Sequence, residues 1–140
     1  MGARPVKELS DLIIEFYEKL SSWEQSIVEG SGITLSQMHT IEILGVNNMI
    51  KMKDLASKMG VTTGTLTVMI DNLEKKGLVQ RIQNPEDRRS YVIRLTDTGK
   101  KHYRRHSNFH LELTRECTSG FSEEEIKIFR RLLERFISQI

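Results

Sequence analysis

From Val6 to about Ile27 the apolar residues Leu9, Leu12, Ile13, Phe16, Leu20, Trp23 and Ile27 recur at three- and four-residue steps. That period predicts an amphipathic helix of unusual length for a 140-residue chain. The stretch EGSGIT, with two glycines and a serine, ends it. A second helix is predicted over roughly Ser36 to Val46, carrying Met38, Ile41, Ile43 and Leu44. The segment MKDLASKMGVTTGTLTVMIDNLEKKGLV then reads as two short helices joined by a tight turn. Leu55, Ala56 and Met59 form the apolar face of the first, and Gly60 stands where a left-handed residue ends it. Thr62 is placed to cap the second, whose inner face is Leu66, Met69, Ile70 and Leu73. Lys75 and Lys76 occupy its last turn, as the helix dipole favours, and Gly77 stops it.

Two β-rich runs follow, LVQRIQ and SYVIRL, separated by the polar, proline-containing NPEDRR, which predicts a hairpin. Thr96 caps a long helix, roughly Asp97 to Thr118, and Gly120 breaks it. Ser122 and Glu125 make a capping box for a closing helix with Ile126, Phe129, Leu132, Leu133, Phe136, Ile137 and Ile140 at helical spacing. Strands are expected only in that one hairpin, which excludes a parallel-sheet enzyme fold. The predicted class is mainly α: a winged helix-turn-helix with one β-hairpin wing, flanked by N- and C-terminal helices. We expect a single domain over 1–140, with dimerisation helices at 1–33 and 106–140 and a winged helix-turn-helix lobe at 34–105. Both long apolar stripes need a partner surface; an intramolecular helix pair competes with a homodimer.

Charge sharpens this picture. Between Glu74 and Arg105 there are ten basic residues against four acids, a net +6 in a chain whose total is +2, so the remainder carries −4. A basic middle between acidic ends suits a polyanion, although solvated charge runs are common. On the second helix of the pair, Thr63, Gly64, Thr65, Thr67 and Val68 are small, which lets a helix N-terminus sit deep in a major groove. Thr62, Asn72 and Lys75 complete the expected DNA-binding set on this helix. The same threonines also suit a solvated cap. At the hairpin tip, Arg88 and Arg89 can reach a minor groove, where the potential is most negative, and Asp87 can pair with Arg89.

These residues carry a resemblance. DRRSYVIRLTDTG, with its D-x-R tip and L-T-x-x-G entry into the next helix, is similar to the wing signature of the MarR family. LASKMGVTTGTLTVMIDNLEKKGLVQR is close to that family's helix-turn-helix. The resemblance implies a cytoplasmic homodimeric transcription regulator, a repressor, whose first and last helices intertwine and whose wings straddle a pseudo-palindromic operator on double-stranded DNA. It places Arg89 at the minor groove and makes Arg88 a phosphate contact or a solvated side chain.

Four histidines lie outside the DNA-reading elements: His39, His102, His106 and His110. His106 and His110 have the i, i+4 spacing of metal ligands. The family's zinc-responsive branch has a similar set, which here would be Glu24, His39, His106 and His110. MHTIEILG and the H-x-x-F-H run also resemble the family's fatty-acid-biosynthesis repressors, which respond to acyl chains on acyl carrier protein. The ranking puts an acyl-type effector, or simple packing of the histidines, above a divalent metal, in a cavity expected between the first, second and fifth helices. No cofactor is required.

G-x-S-x-G, H-E-x-x-H, P-loop and CxxC motifs are all absent, so no enzyme is expected. A DNA-independent interaction module is the other class to carry, and it leaves the wing arginines unexplained. No apolar run has membrane-spanning length, and no membrane partner is expected. The lone Cys117 is expected to be a small buried residue.

Overall fold

The computed structural model describes residues 2–140. The elements run α1 (Ala3–Val28), α2 (Leu35–Asn47), β1 (Met49–Lys51), α3 (Met52–Met59), α4 (Thr63–Lys75), β2 (Val79–Gln83), β3 (Tyr91–Leu95), α5 (Asp97–Cys117) and α6 (Glu123–Ile137). The chain resolves into two compact units, Met1–Arg104 and Arg105–Ile140.

In the first unit the core is built from α2, α3, α4 and the sheet. Ile41, Leu55, Leu66, Ile70, Leu73 and Ile93 are wholly buried. Of the predicted inner faces, Leu55 and Ala56 of α3 and Leu66, Ile70 and Leu73 of α4 are buried, while Met59 and Met69 are half-buried at the edge of each stripe. Local chemistry sets the ends. Thr34 caps α2 in a full capping box with Gln37, and Thr62 accepts from the Thr65 backbone N–H at 3.1 Å. Gly60 takes φ 66°, the left-handed conformation that closes α3.

The sheet corrects one expectation. Besides the β2–β3 hairpin there is a third strand, and the antiparallel order is β1-β3-β2. Ile50 of β1 pairs with Ile93, and Arg81 of β2 pairs with the same residue on its other side. Three residues with a single buried one are too few to show a strand's alternation in sequence.

The hairpin is locked to the helices at its base. Thr96 donates its backbone N–H to the Leu78 carbonyl at 3.1 Å and its hydroxyl to the Gly77 carbonyl at 2.6 Å. Its hydroxyl also accepts from the Gly99 backbone N–H at 3.1 Å. A Cβ at Gly99 would lie 2.0 Å from the Leu78 carbonyl oxygen, which is why the L-T-x-x-G run needs its glycine.

Along α1 only Val28 is buried; Leu9, Leu12 and Phe16 are more than half exposed. In the second unit, α6 is capped by Ser122 and Glu125 as predicted, and none of its residues is buried. Phe121 and Phe129 meet edge to face there, 6.3 Å between centroids. Cys117 is exposed, not buried as expected, because it lies at the last residue of α5 beside a turn.

Candidate nucleic-acid interface

Helix α4 divides cleanly around its circumference. Leu66, Ile70 and Leu73 are wholly buried, while Thr62, Thr63, Gly64, Thr65, Thr67, Val68, Asn72 and Lys75 are all exposed. Val68 is 60% exposed, a large apolar side chain held in water on a helix with a complete core face. Such a side chain can cover a thymine methyl, and the neighbouring threonines supply hydroxyls. Three of those hydroxyls are already engaged: Thr62 caps the helix and bonds the Thr65 hydroxyl at 3.0 Å, and Thr67 donates to the Thr63 carbonyl at 2.8 Å.

The wing tip is ordered by its own backbone. Asn84 is buried, accepts from the Glu86 N–H at 3.1 Å and donates to the Ser90 hydroxyl at 3.1 Å. Gln83 donates to the Arg88 carbonyl at 2.9 Å. Asp87 accepts from the backbone N–H of Arg89 at 3.0 Å. This revises the expected Asp87–Arg89 ion pair: the carboxylate shapes the turn and leaves the guanidinium of Arg89 outward. Asp87, Arg88 and Arg89 are all exposed.

The basic window is less uniform than its count suggests. Lys76 donates to the Gly32 carbonyl at 2.7 Å and to the Gln37 side chain at 2.9 Å, tying the end of α4 to the α1–α2 loop. Arg81 pairs with Asp71 and with Glu74. Neither cation faces solvent alone, and sequence reasoning missed both pairings. The spacing of Thr67, Asp71 and Glu74 along α4 was the available signal.

The effector candidates fall in separate units. In the first, Glu24 is half-buried on α1 and offers a carboxylate oxygen within 4.8 Å of one from Glu42 on α2. His39 is exposed. It lies about 160° around α2 from the core residue Ile41, so it faces away from the packed side. Glu42, which the sequence reading passed over, is the α2 residue that stands beside Glu24. In the second unit, His106 is buried and its Nε2 is 3.2 Å from Nε2 of His110, with the rings edge to face at 4.8 Å. Two cavities of the first unit, of 490 and 310 Å³, lie on the wing sheet and are lined by neither Glu24 nor His39.

Among the described residues no helix is long and apolar enough to cross a membrane. The profile of the MarR family matches residues 33–91, the span from the α1–α2 loop to the start of β3. YcgE of Bacillus subtilis (strain 168), an uncharacterized HTH-type transcriptional regulator, is 30% identical over 86% of this chain and 81% of its own length. YfiV of the same organism, described alike, is 35% identical over 71% of this chain, and the match spans only 63% of that protein. Among solved structures, Streptococcus pneumoniae FabT in complex with DNA is 26% identical with a TM-score of 0.83, covering 95% of each chain. A Bacillus stearothermophilus protein of the matched family is 25% identical with a TM-score of 0.90, over 99% of this chain and 97% of that one.

Proposed function

The chain belongs to the MarR family, and from that premise we propose that it is a homodimeric, sequence-specific DNA-binding repressor. The observation that carries this reading is the split character of α4. One face is wholly buried and the other exposes only small or polar residues and Val68, beside a wing tip that presents Arg88 and Arg89. The helix reads a major groove through Thr63, Gly64, Thr65, Thr67, Val68 and Asn72, with Thr62 and Lys75 near phosphates. Arg89 enters the adjacent minor groove, and Arg88 contacts phosphate. That a relative of similar fold was solved on DNA supports this. No catalytic role enters this account.

The homodimer reading rests on exposed apolar residues: Leu9, Leu12 and Phe16 on α1, and Ile126, Phe129 and Leu132 on α6. Exposed stripes of this extent mark interaction surfaces. A two-fold dimer gives two α4 helices, hence an operator with two half-sites. Gel shift on promoter-region fragments in low salt, together with sedimentation, tests both parts. A retarded band and a dimeric mass are expected, and sustained absence of binding in low salt favours the interaction-module reading.

For the effector, the acyl-type ligand rests on likeness alone, whereas one observation favours a divalent metal. The two Nε2 atoms at 3.2 Å can share one proton, and a zinc-type ion can take its place on both nitrogens. Metal analysis of purified protein, with His106→Ala and His110→Ala, decides. Stoichiometric metal lost in both variants supports the metal, and metal-free protein that still releases DNA with an acyl ligand supports the alternative.

A further inference from the structure

Arg81 lies on β2, yet its contacts run along two turns of α4. Its Nη1 is 3.2 Å from Glu74 Oε1, and Nη2 pairs with the Asp71 carboxylate. Nη2 also reaches the Thr67 carbonyl at 3.4 Å, and the Arg81 backbone N–H donates to Glu74 Oε2 at 3.3 Å. Thr67, Asp71 and Glu74 stand at i, i+4 and i+7, a single stripe on the flank between the buried and exposed faces of α4. The side chain is 28% exposed, so this pairing is partly shielded from water.

The rest of the wing makes this point special. Strand β2 is paired with β3 along its whole length, from Val79↔Leu95 to Gln83↔Tyr91. The tip is bonded to itself through Gln83, Asn84 and Asp87. The hairpin therefore moves as one piece, and its angle to α4 is set near its base. Beyond the joint at Thr96 and the apolar core that Val79, Ile93 and Leu95 share with α4, Arg81 adds an ion-paired side chain that spans from the hairpin to α4.

We propose that Arg81 is a positioning residue for DNA reading. It locks the wing and α4 into one rigid unit, so that Arg89 reaches the minor groove while the threonines of α4 occupy the major groove. It also neutralises two carboxylates that would otherwise stand beside the phosphates. This rests on the DNA-binding reading above. Preorganisation of this kind strengthens binding that needs both grooves at once and leaves phosphate-only binding alone.

The test uses DNA selected from a random pool by the wild-type protein, with an unselected duplex for comparison, both measured across a salt series. The double variant Arg81→Gln/Asp71→Asn keeps the net charge, and Arg81→Lys keeps a cation that can reach one carboxylate. We expect the double variant to bind selected DNA tenfold or more weakly, with unselected binding and the salt slope unchanged and Arg81→Lys intermediate. Equal losses on both duplexes, with a salt slope reduced by about one, would make Arg81 a phosphate contact and overturn the proposal. So would unchanged selectivity in the folded fraction, whatever the change in melting temperature. If the double variant does not fold, Arg81→Lys carries the test, and a selected-to-unselected ratio within twofold of wild type overturns the proposal. A wild-type protein that selects no sequence overturns the DNA-binding reading itself, and the proposal with it.

Discussion

Replacing Gly99 by alanine should cost about 2–4 kcal/mol of stability, through a backbone collision rather than a lost contact. The added Cβ would lie 2.0 Å from the Leu78 carbonyl oxygen, where ordinary contact begins at 3.4 Å, so something must move by about 1.4 Å. Neither side can yield freely. The Leu78 oxygen accepts the Thr96 N–H, the Leu78 N–H donates to the Leu73 carbonyl, and the Gly99 N–H is held by the Thr96 hydroxyl. Opening this joint forfeits two or three hydrogen bonds at roughly 0.5–1.5 kcal/mol each, and overpacking alone costs about 1–3 kcal/mol. The joint also connects the end of α4 to the end of the wing, so DNA affinity should fall with stability. Urea denaturation followed by far-UV circular dichroism measures the change. A loss below about 0.5 kcal/mol, the scatter of ordinary surface substitutions, would refute the reasoning.

Further outcomes follow from other sites. Arg89→Ala should weaken operator binding by about 1–3 kcal/mol with the melting temperature unchanged, as befits an exposed tip; unchanged affinity would remove its minor-groove role. Operator affinity should fall steeply with salt, because each protomer of a dimer offers the exposed cations Lys75, Arg88 and Arg89 to phosphates, and a flat dependence would exclude phosphate contacts. Thr62→Ala deletes the cap on the Thr65 N–H and should cost about 1 kcal/mol in urea denaturation. Backbone and side-chain hydrogen bonds from Ser122 hold the Glu125 carboxyl below its usual range. Its contribution to stability is present above the ordinary glutamate range and is lost as pH falls through the depressed value. Glu125→Gln should flatten that acid dependence, and an unaltered profile would rule it out.

The parts legible in the sequence were those governed by period and caps. Leu66, Ile70 and Leu73 fall on one stripe of α4, and Thr62, Gly60 and Ser122 act locally, so each could be read without tertiary knowledge. What escaped depends on neighbours distant in sequence. β1 exists only because Ile50 finds Ile93, and Arg81 looked like a free cation until the fold brought Asp71 and Glu74 beside it. His39 was favoured for its chemistry, but the rotation of α2 is set by Met38, Ile41 and Leu44, which turn it to solvent. Asp87 was paired with the right residue but the wrong group, since a carboxylate two residues back reaches the backbone N–H first.

The central claim, that α4 and the wing together read DNA sequence, is tested most directly by selection from a random duplex pool followed by footprinting on the enriched site. The account predicts a pseudo-palindrome whose half-sites lie about one helical turn apart, bound at least about 10³-fold more tightly than unselected DNA. Uniform weak binding with no enriched sequence, even in low salt, would contradict it.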